Sequence, residues 1–238
     1  MVSPYLKNKG SAVRFCLWPQ MQKTKNFLNY LSSTFFRIFS TNSLLINSYK
    51  TFTIEEKLNL RTPFTSIKLI DYLKDFSKTK NKVSIFEYGS GSSTLFFEDY
   101  FEDVYSVEHN KEWFDIVTSI AESANVFFVP PEKSKQPIYI SKKLGFKNLD
   151  FKNYVNFIGS LGKKFDVIFI DGRARQECLK IASEFLNPGG FIILDDSNRK
   201  RYKKDFLKVS ENKKIVHFRG FGTYLPTIHR SSLIFASG

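Results

Sequence analysis

At 238 residues, 42% hydrophobic and 25% charged, the chain has the length and make-up of one globular α/β domain with a modest extension. Its two cysteines, Cys16 and Cys178, exclude a disulfide framework, no Cys/His spacing fits zinc, and no apolar run reaches the ~18 residues of a spanning helix. A net charge of +13 asks for an anionic partner (an acidic or phosphorylated substrate, a nucleic acid or an anionic membrane surface), although a bias toward Lys and Asn over Arg and Ala produces the same balance.

The first 50 residues hold Lys7, Lys9, Arg14, Lys23, Lys25, Arg37 and Lys50 and not one acid. Residues 1–20 show no helical periodicity and no apolar core followed by a cleavage site, which predicts a disordered basic segment without a signal peptide. A helical extension is expected over residues 21–80, in which Phe27, Leu28, Leu31, Phe35, Phe36 and Phe39 recur at helical spacing. A basic amphipathic helix of that kind packs on its own domain or associates peripherally with an anionic membrane. A second amphipathic helix is expected over Thr65–Asp75.

From residue 81 to 238 the pattern changes to short apolar runs alternating with helices. Val83–Tyr88, Val104–Val107, Val126–Val129, Phe165–Ile170 and Phe191–Leu194 read as buried strands, with helices over Thr94–Tyr100, Lys111–Ser123 and Gln176–Leu186. Continuous rather than alternating apolar strands predict an α/β fold, Rossmann-like, with a doubly wound and mainly parallel sheet. Pro130–Lys164 is too long for a plain connection and is expected to hold a helix around Tyr154–Leu161. Ile215–Phe218 and Ser232–Phe235 are expected as the last strands.

The first strand runs into Glu87-Tyr88-Gly89-Ser90-Gly91-Ser92-Ser93-Thr94 and then a helix, the arrangement of a nucleotide-cofactor site. Glycines at 89 and 91 let backbone approach a ligand, but the third glycine of the dinucleotide fingerprint is replaced by Thr94. The next strand ends in Glu108, 17 residues beyond Gly91, where a carboxylate can accept ribose hydroxyls, and His109 follows it on the adenosine side. Phe165-Asp166-Val167-Ile168-Phe169-Ile170-Asp171 places Asp171 at a strand end beside the crevice, and Leu186-Asn187-Pro188-Gly189-Gly190 leads into a strand that ends in Asp195-Asp196.

Taken jointly over Ser84–Phe235, these segments resemble class I S-adenosylmethionine-dependent methyltransferases. The E-x-G-x-G, FD-(apolar)-D and L-x-P-G-G patterns carry the likeness. Residues Glu87–Thr94, Ser106–Trp113, Asp171–Cys178 and Leu194–Tyr202, with Phe218–Gly222 and Ser231–Phe235, look more narrowly like an uncharacterised bacterial group of methyltransferases. The resemblance implies S-adenosylmethionine as cofactor, held by Glu87, Tyr88, Gly89, Ser90, Gly91, Ser93, Glu108, His109 and Asp171. It implies methylation of an oxygen on a small-molecule or saccharide acceptor in the cytoplasm, with Asp171 and Asp195 as catalytic carboxylates. Asp171, Asp195 and Asp196 stand where catechol-type O-methyltransferases hold Mg²⁺. Asp196 replaces their Asn, however, and the neighbouring arginines favour internal pairing over a metal. Arg173, Arg175 and Arg199, beyond strand ends, are expected to meet the acceptor, whereas Lys200, Arg201, Lys203 and Lys204 read equally as a solvated charge run.

Three rivals stay open. An NAD-dependent oxidoreductase explains the Rossmann elements but not Glu87 or the Pro-Gly-Gly segment. A nucleic-acid methyltransferase explains the charge, but no Asn-Pro-Pro-Tyr-type motif follows the fourth main strand, which argues against a nucleic-acid partner. A non-catalytic interaction protein on the same scaffold is the third.

Overall fold

The computed structural model describes residues 58–223 and 228–236. The basic segment 1–20 and the helix expected from Phe27 lie outside the described residues. The chain divides into Met1–Leu60 and Arg61–Gly238, and every element below belongs to the second unit.

In chain order these are α1 (Ile67–Ser77), β1 (Ser84–Tyr88), α2 (Ser92–Tyr100), β2 (Asp103–Glu108), α3 (Lys111–Thr118) and β3 (Asn125–Phe128). A short antiparallel pair follows, β4 (Glu132–Lys133) with β5 (Leu149–Asp150), then α4 (Lys152–Ser160), β6 (Phe165–Ile170), α5 (Arg175–Ala182) and β7 (Leu186–Leu194). The unit closes with α6 (Lys203–Val209), β8 (Ile215–Phe221) and β9 (Ile228–Phe235). The main sheet runs β3-β2-β1-β6-β7-β9-β8, parallel from β3 to β7, with β9 antiparallel to both β7 and β8. Chain order reverses at β1, so the carboxyl ends of β1 and β6 flank the switch point where doubly wound sheets bind ligands.

The two central strands are buried at every residue, which is why their apolar runs are continuous. Alternation within them feeds two cores. Ile85, Val167 and Phe169 meet Leu69, Leu73, Phe96 and Phe97 from α1 and α2. Phe86, Tyr88, Ile168 and Ile170 meet Tyr154, Val155, Ile158, Cys178 and Leu179 from α4 and α5. Glu87 points to the same side as Ile85, toward α2, while Tyr88 points to the other.

Three elements depart from expectation, and the first is the helix expected over Gln176–Leu186, which gives way to a 3-10 turn after Ala182. The helix expected to reach Ser123 ends at Thr118, because Glu98 accepts the N–H groups of Glu122, Ser123 and Ala124 at 3.0–3.1 Å and draws that backbone out of the helix. The segment Leu186–Gly190, expected only to lead into the strand over Phe191–Leu194, is part of β7 itself. Leu186 already pairs with Phe165, and the register shifts before Phe191 meets Val167. Among the described residues no helix is long and apolar enough to cross a membrane.

Candidate active site at the strand ends

The loop after β1 is organised around Glu87, which is fully buried. Ser93 Oγ, Thr94 Oγ1 (2.5 Å) and Ser106 Oγ (2.8 Å) all donate to its carboxylate. Burial pushes this carboxyl up to about 7, with Glu108 adding to the effect, and the three hydroxyls only partly offset it. Thr94 Oγ1 also accepts the Gly91 N–H at 2.9 Å. The residue standing in place of the third glycine is therefore a hydroxyl relay between Glu87 and the loop backbone. Gly89 has φ of +98°, and a Cβ there would fall 2.5 Å from Gly172 Cα, so the loops after β1 and β6 touch backbone to backbone. Ser90 Oγ is buried and has no hydrogen-bond partner among the described residues.

Glu108 ties the next loop to this one. Its carboxylate accepts Ser90 N (3.0 Å), His109 N (2.8 Å) and Asn110 N (2.7 Å) and is itself buried. Of the roughly four acceptor positions of a carboxylate, three are filled, so contact with both ribose hydroxyls requires an amide to give way. His109 Nδ1 lies 2.6 Å from Glu108 Oε1, and its ring packs among Phe146, Phe151 and Tyr154 at centroid distances of 5.5–6.1 Å. Trp113 lies across Gly91, within 3.5 Å of where a Cβ would stand, and its indole N–H donates to the Ser90 carbonyl. Tyr88, expected at the cofactor, has its side chain in the core instead, donating to the Val155 carbonyl at 2.7 Å, and only its backbone borders the loop.

Asp171, Asp195 and Asp196 do converge, and at their centre sits a guanidinium. Arg175 is buried; it pairs with Asp171 Oδ1, donates to the Asp171 and Asp195 carbonyls at 2.5 and 2.9 Å, and stands 3.5 Å from Asp195 Oδ2 and 3.6 Å from Asp196 Oδ2. Read from sequence as an acceptor contact, Arg175 engages this cluster with its guanidinium and only borders the cavity beyond it. Asp195 is held further by Ser231 Oγ at 2.8 Å and is 3% exposed, so it positions neighbours and cannot face an acceptor. Asp171 is different. A quarter of its side chain, 26%, meets solvent, and Oδ2 takes no hydrogen bond among the described residues. Burial at the crevice floor pushes its carboxyl up; Arg175 opposes this and Asp195, Asp196 and Glu87 reinforce it. Among the described residues no group of three or more His, Cys, Asp or Glu is arranged for a metal ion.

Beyond the ends of β6 and β7 opens a cavity of about 270 Å³ whose wall includes Lys142, Lys143, Arg173, Arg175, Arg199 and Arg201. Arg173 lies over the Phe146 ring at 5.3 Å, and Arg199 pairs with Asp196 at the surface. Of the run that read as a solvated face, Arg201 turns into this cavity, whereas Lys200, Lys203 and Lys204 are exposed. Sequence reasoning missed Thr94, Ser106, Trp113 and the Lys142–Lys143 pair. The Ser-Ser-Thr run at the start of α2 was a readable signal for the first; nothing local marked the lysines. His217 bonds Ser232 Oγ at 2.7 Å in the β8–β9 ladder, and burial lowers its pKa.

No known family profile and no curated protein matches the chain, so the finer resemblance to a bacterial group rests on its motifs alone. Solved structures match it in shape. An O-methyltransferase from Bacillus cereus in complex with SAH is 13% identical over 83% of this chain and 99% of that one, with a TM-score of 0.52. An rRNA methylase from Streptococcus thermophilus is 10% identical over 71% and 95%, with a TM-score of 0.49. A methyltransferase from Pyrococcus furiosus is 19% identical over 71% and 83%, with a TM-score of 0.45. With six parallel-wound strands and one antiparallel insertion at β9, and with the first of these likenesses, the chain has the Rossmann-like fold of class I methyltransferases.

Proposed function

We propose that the protein is an S-adenosylmethionine-dependent methyltransferase acting on a hydroxyl oxygen of a small-molecule or sugar acceptor in the cytoplasm. The observation that carries this reading is the loop from Glu87 to Gly91. It is a glycine cradle braced by a buried carboxylate, with an orphaned Ser90 hydroxyl, at the switch point of the sheet. Unpaired buried hydroxyls are costly, and a polar ligand lying on the loop gives this one its partner.

When bound, S-adenosylmethionine supplies a methyl group already activated by its sulfonium, so the protein's main work is alignment. Glu87 positions the loop through Ser93 and Thr94, and Glu108 stands on the ribose side. Asp171 Oδ2 accepts the acceptor hydroxyl's proton, a task that its raised pKa favours. Mg²⁺ does not fit the three aspartates, because the Arg175 guanidinium already occupies the space between them, and no step here uses a metal.

Calorimetric titration with S-adenosylhomocysteine tests the reading. Micromolar binding is expected, weakened about tenfold or more (~1.4 kcal/mol) by Gly91→Val, whose side chain would meet Trp113. Preference for NAD over S-adenosylhomocysteine would overturn it.

A further inference from the structure

We infer that the basic cavity beyond β6 and β7 seats a phosphate or diphosphate group carried by the acceptor. Six cationic side chains line it, Lys142, Lys143, Arg173, Arg175, Arg199 and Arg201, and no carboxylate does. Arg175 and Arg199 are matched by Asp171, Asp195 and Asp196 behind the wall. Among the described residues the other four have no carboxylate within ion-pair distance. Arg173 Nε and Arg201 Nε are moreover buried with no hydrogen-bond partner among the described residues, which is a costly state for a guanidinium N–H. The crowding shows in Lys143, whose pKa is lowered first by Arg173, then by burial, Arg199 and Arg175.

The chemistry of the occupant follows from charge and size. A phosphate brings a charge of about −1.5 to −2 and three strong acceptor oxygens, suited to two arginine forks and two lysines. A single carboxylate would leave most of that positive charge unmatched. At about 270 Å³ the cavity falls just short of the ~300–1,000 Å³ of whole-ligand sites, so it holds a head group and leaves the rest of the acceptor outside. A seat of this size is also not the extended track that a nucleic-acid backbone needs. Gly172 lines the cavity and abuts Gly89, which brings the seat against the donor loop. The role as acceptor site rests on the methyltransferase reading; the binding of the anion does not.

The test is calorimetric titration of the full chain with inorganic phosphate and pyrophosphate at about 0.15 M chloride, with S-adenosylhomocysteine titrated in parallel. Submillimolar pyrophosphate binding is expected, weakened about tenfold by Arg173→Gln and by Arg201→Gln. Lys142→Gln, on an exposed residue that the fold does not depend on, should weaken it about threefold. Donor binding without pyrophosphate binding, or pyrophosphate binding indifferent to all three substitutions, overturns this proposal and leaves the methyltransferase reading standing. Pyrophosphate binding without donor binding does the reverse. A short single-stranded RNA or an anionic phospholipid vesicle that binds at least tenfold more tightly than pyrophosphate, and loses that binding in Arg201→Gln, also overturns it.

Discussion

Glu87 shows how one buried residue sets both geometry and pH dependence. Its carboxyl ordinarily titrates near 4.5 and is pushed up to about 7 in the folded chain, first by burial. Folded chains therefore hold more protons than unfolded ones between those values. The stability associated with this proton is full below about 4.5, declines as pH rises through the window and is lost above about 7. The shift corresponds to about 3 kcal/mol, an order-of-magnitude figure. In Glu87→Gln an amide keeps hydrogen-bonding capacity without the charge. The wild-type melting temperature should fall between pH 5 and 8 by roughly 5–10 °C more than the variant's. Equal falls measured by scanning calorimetry would sink the assignment. Asp171 makes the complementary residue-scale prediction. Asp171→Asn is nearly isosteric and leaves Arg175 its other two aspartates but removes the proposed proton acceptor, so turnover on a neutral hydroxyl should drop about a hundredfold or more. Full activity in that variant would move the chemistry elsewhere. The sequence placed both carboxylates at strand ends from the E-x-G-x-G and FD-(apolar)-D patterns. It could not show that Glu87 is wrapped by hydroxyls from α2 and β2, because Ser106 lies 19 residues away on a neighbouring strand.

Among the elements, α5 has the largest consequence for the site. Its first residue, Arg175, reaches across the ends of β6 and β7 and gathers three aspartates that would otherwise repel one another. Removing one partner of a buried ion-paired set leaves uncompensated charge, typically worth about 3–5 kcal/mol. Arg175→Met should therefore lower the melting temperature by roughly 6–20 °C. A loss of a degree or two would mean that the clamp is structural ornament. The same arrangement predicts that excess chelator leaves turnover unchanged, whereas activity restored by Mg²⁺ after chelation would show that the guanidinium yields its place. Sequence could list these four side chains as neighbours of strand ends but not choose between cation and guanidinium at their centre, since both satisfy the same spacing. The strands were readable for a simpler reason: β1 and β6 are buried on both faces, so every residue reports the environment. The end of α3 was not, because Glu98 on another helix decides it.

Across the whole unit, the order of strands turns separate weak signals into one site. Glu87, Glu108 and Asp171 lie at the carboxyl ends of three strands that are adjacent in the sheet, β2-β1-β6, although Asp171 lies 63 residues beyond Glu108 in the chain. This adjacency follows from the doubly wound topology, so it was foreseeable once the βα pattern was recognised. The cavity was not foreseeable, because its lysines come from the long stretch between β4 and β5 and its arginines from beyond β6 and β7. A ligand that binds only the folded unit must stabilise it by linkage. At a concentration one hundred times its Kd the gain is about 2.7 kcal/mol. For a chain of this size each kcal/mol moves the melting temperature by about 2–4 °C, so saturating S-adenosylhomocysteine should raise it by roughly 5–11 °C. NAD at the same concentration should raise it by less than about 1 °C, since Thr94 fills the place where the dinucleotide fingerprint needs a glycine. If Glu108 holds the ribose as proposed, Glu108→Ala should cut the S-adenosylhomocysteine shift while leaving the pyrophosphate shift intact. Thermal melts of wild type and variant with each ligand separate the two seats. Loss of both shifts together in Glu108→Ala would mean that the donor loop and the basic cavity are not independent, and that the carboxylate network holds the entire strand-end face in shape.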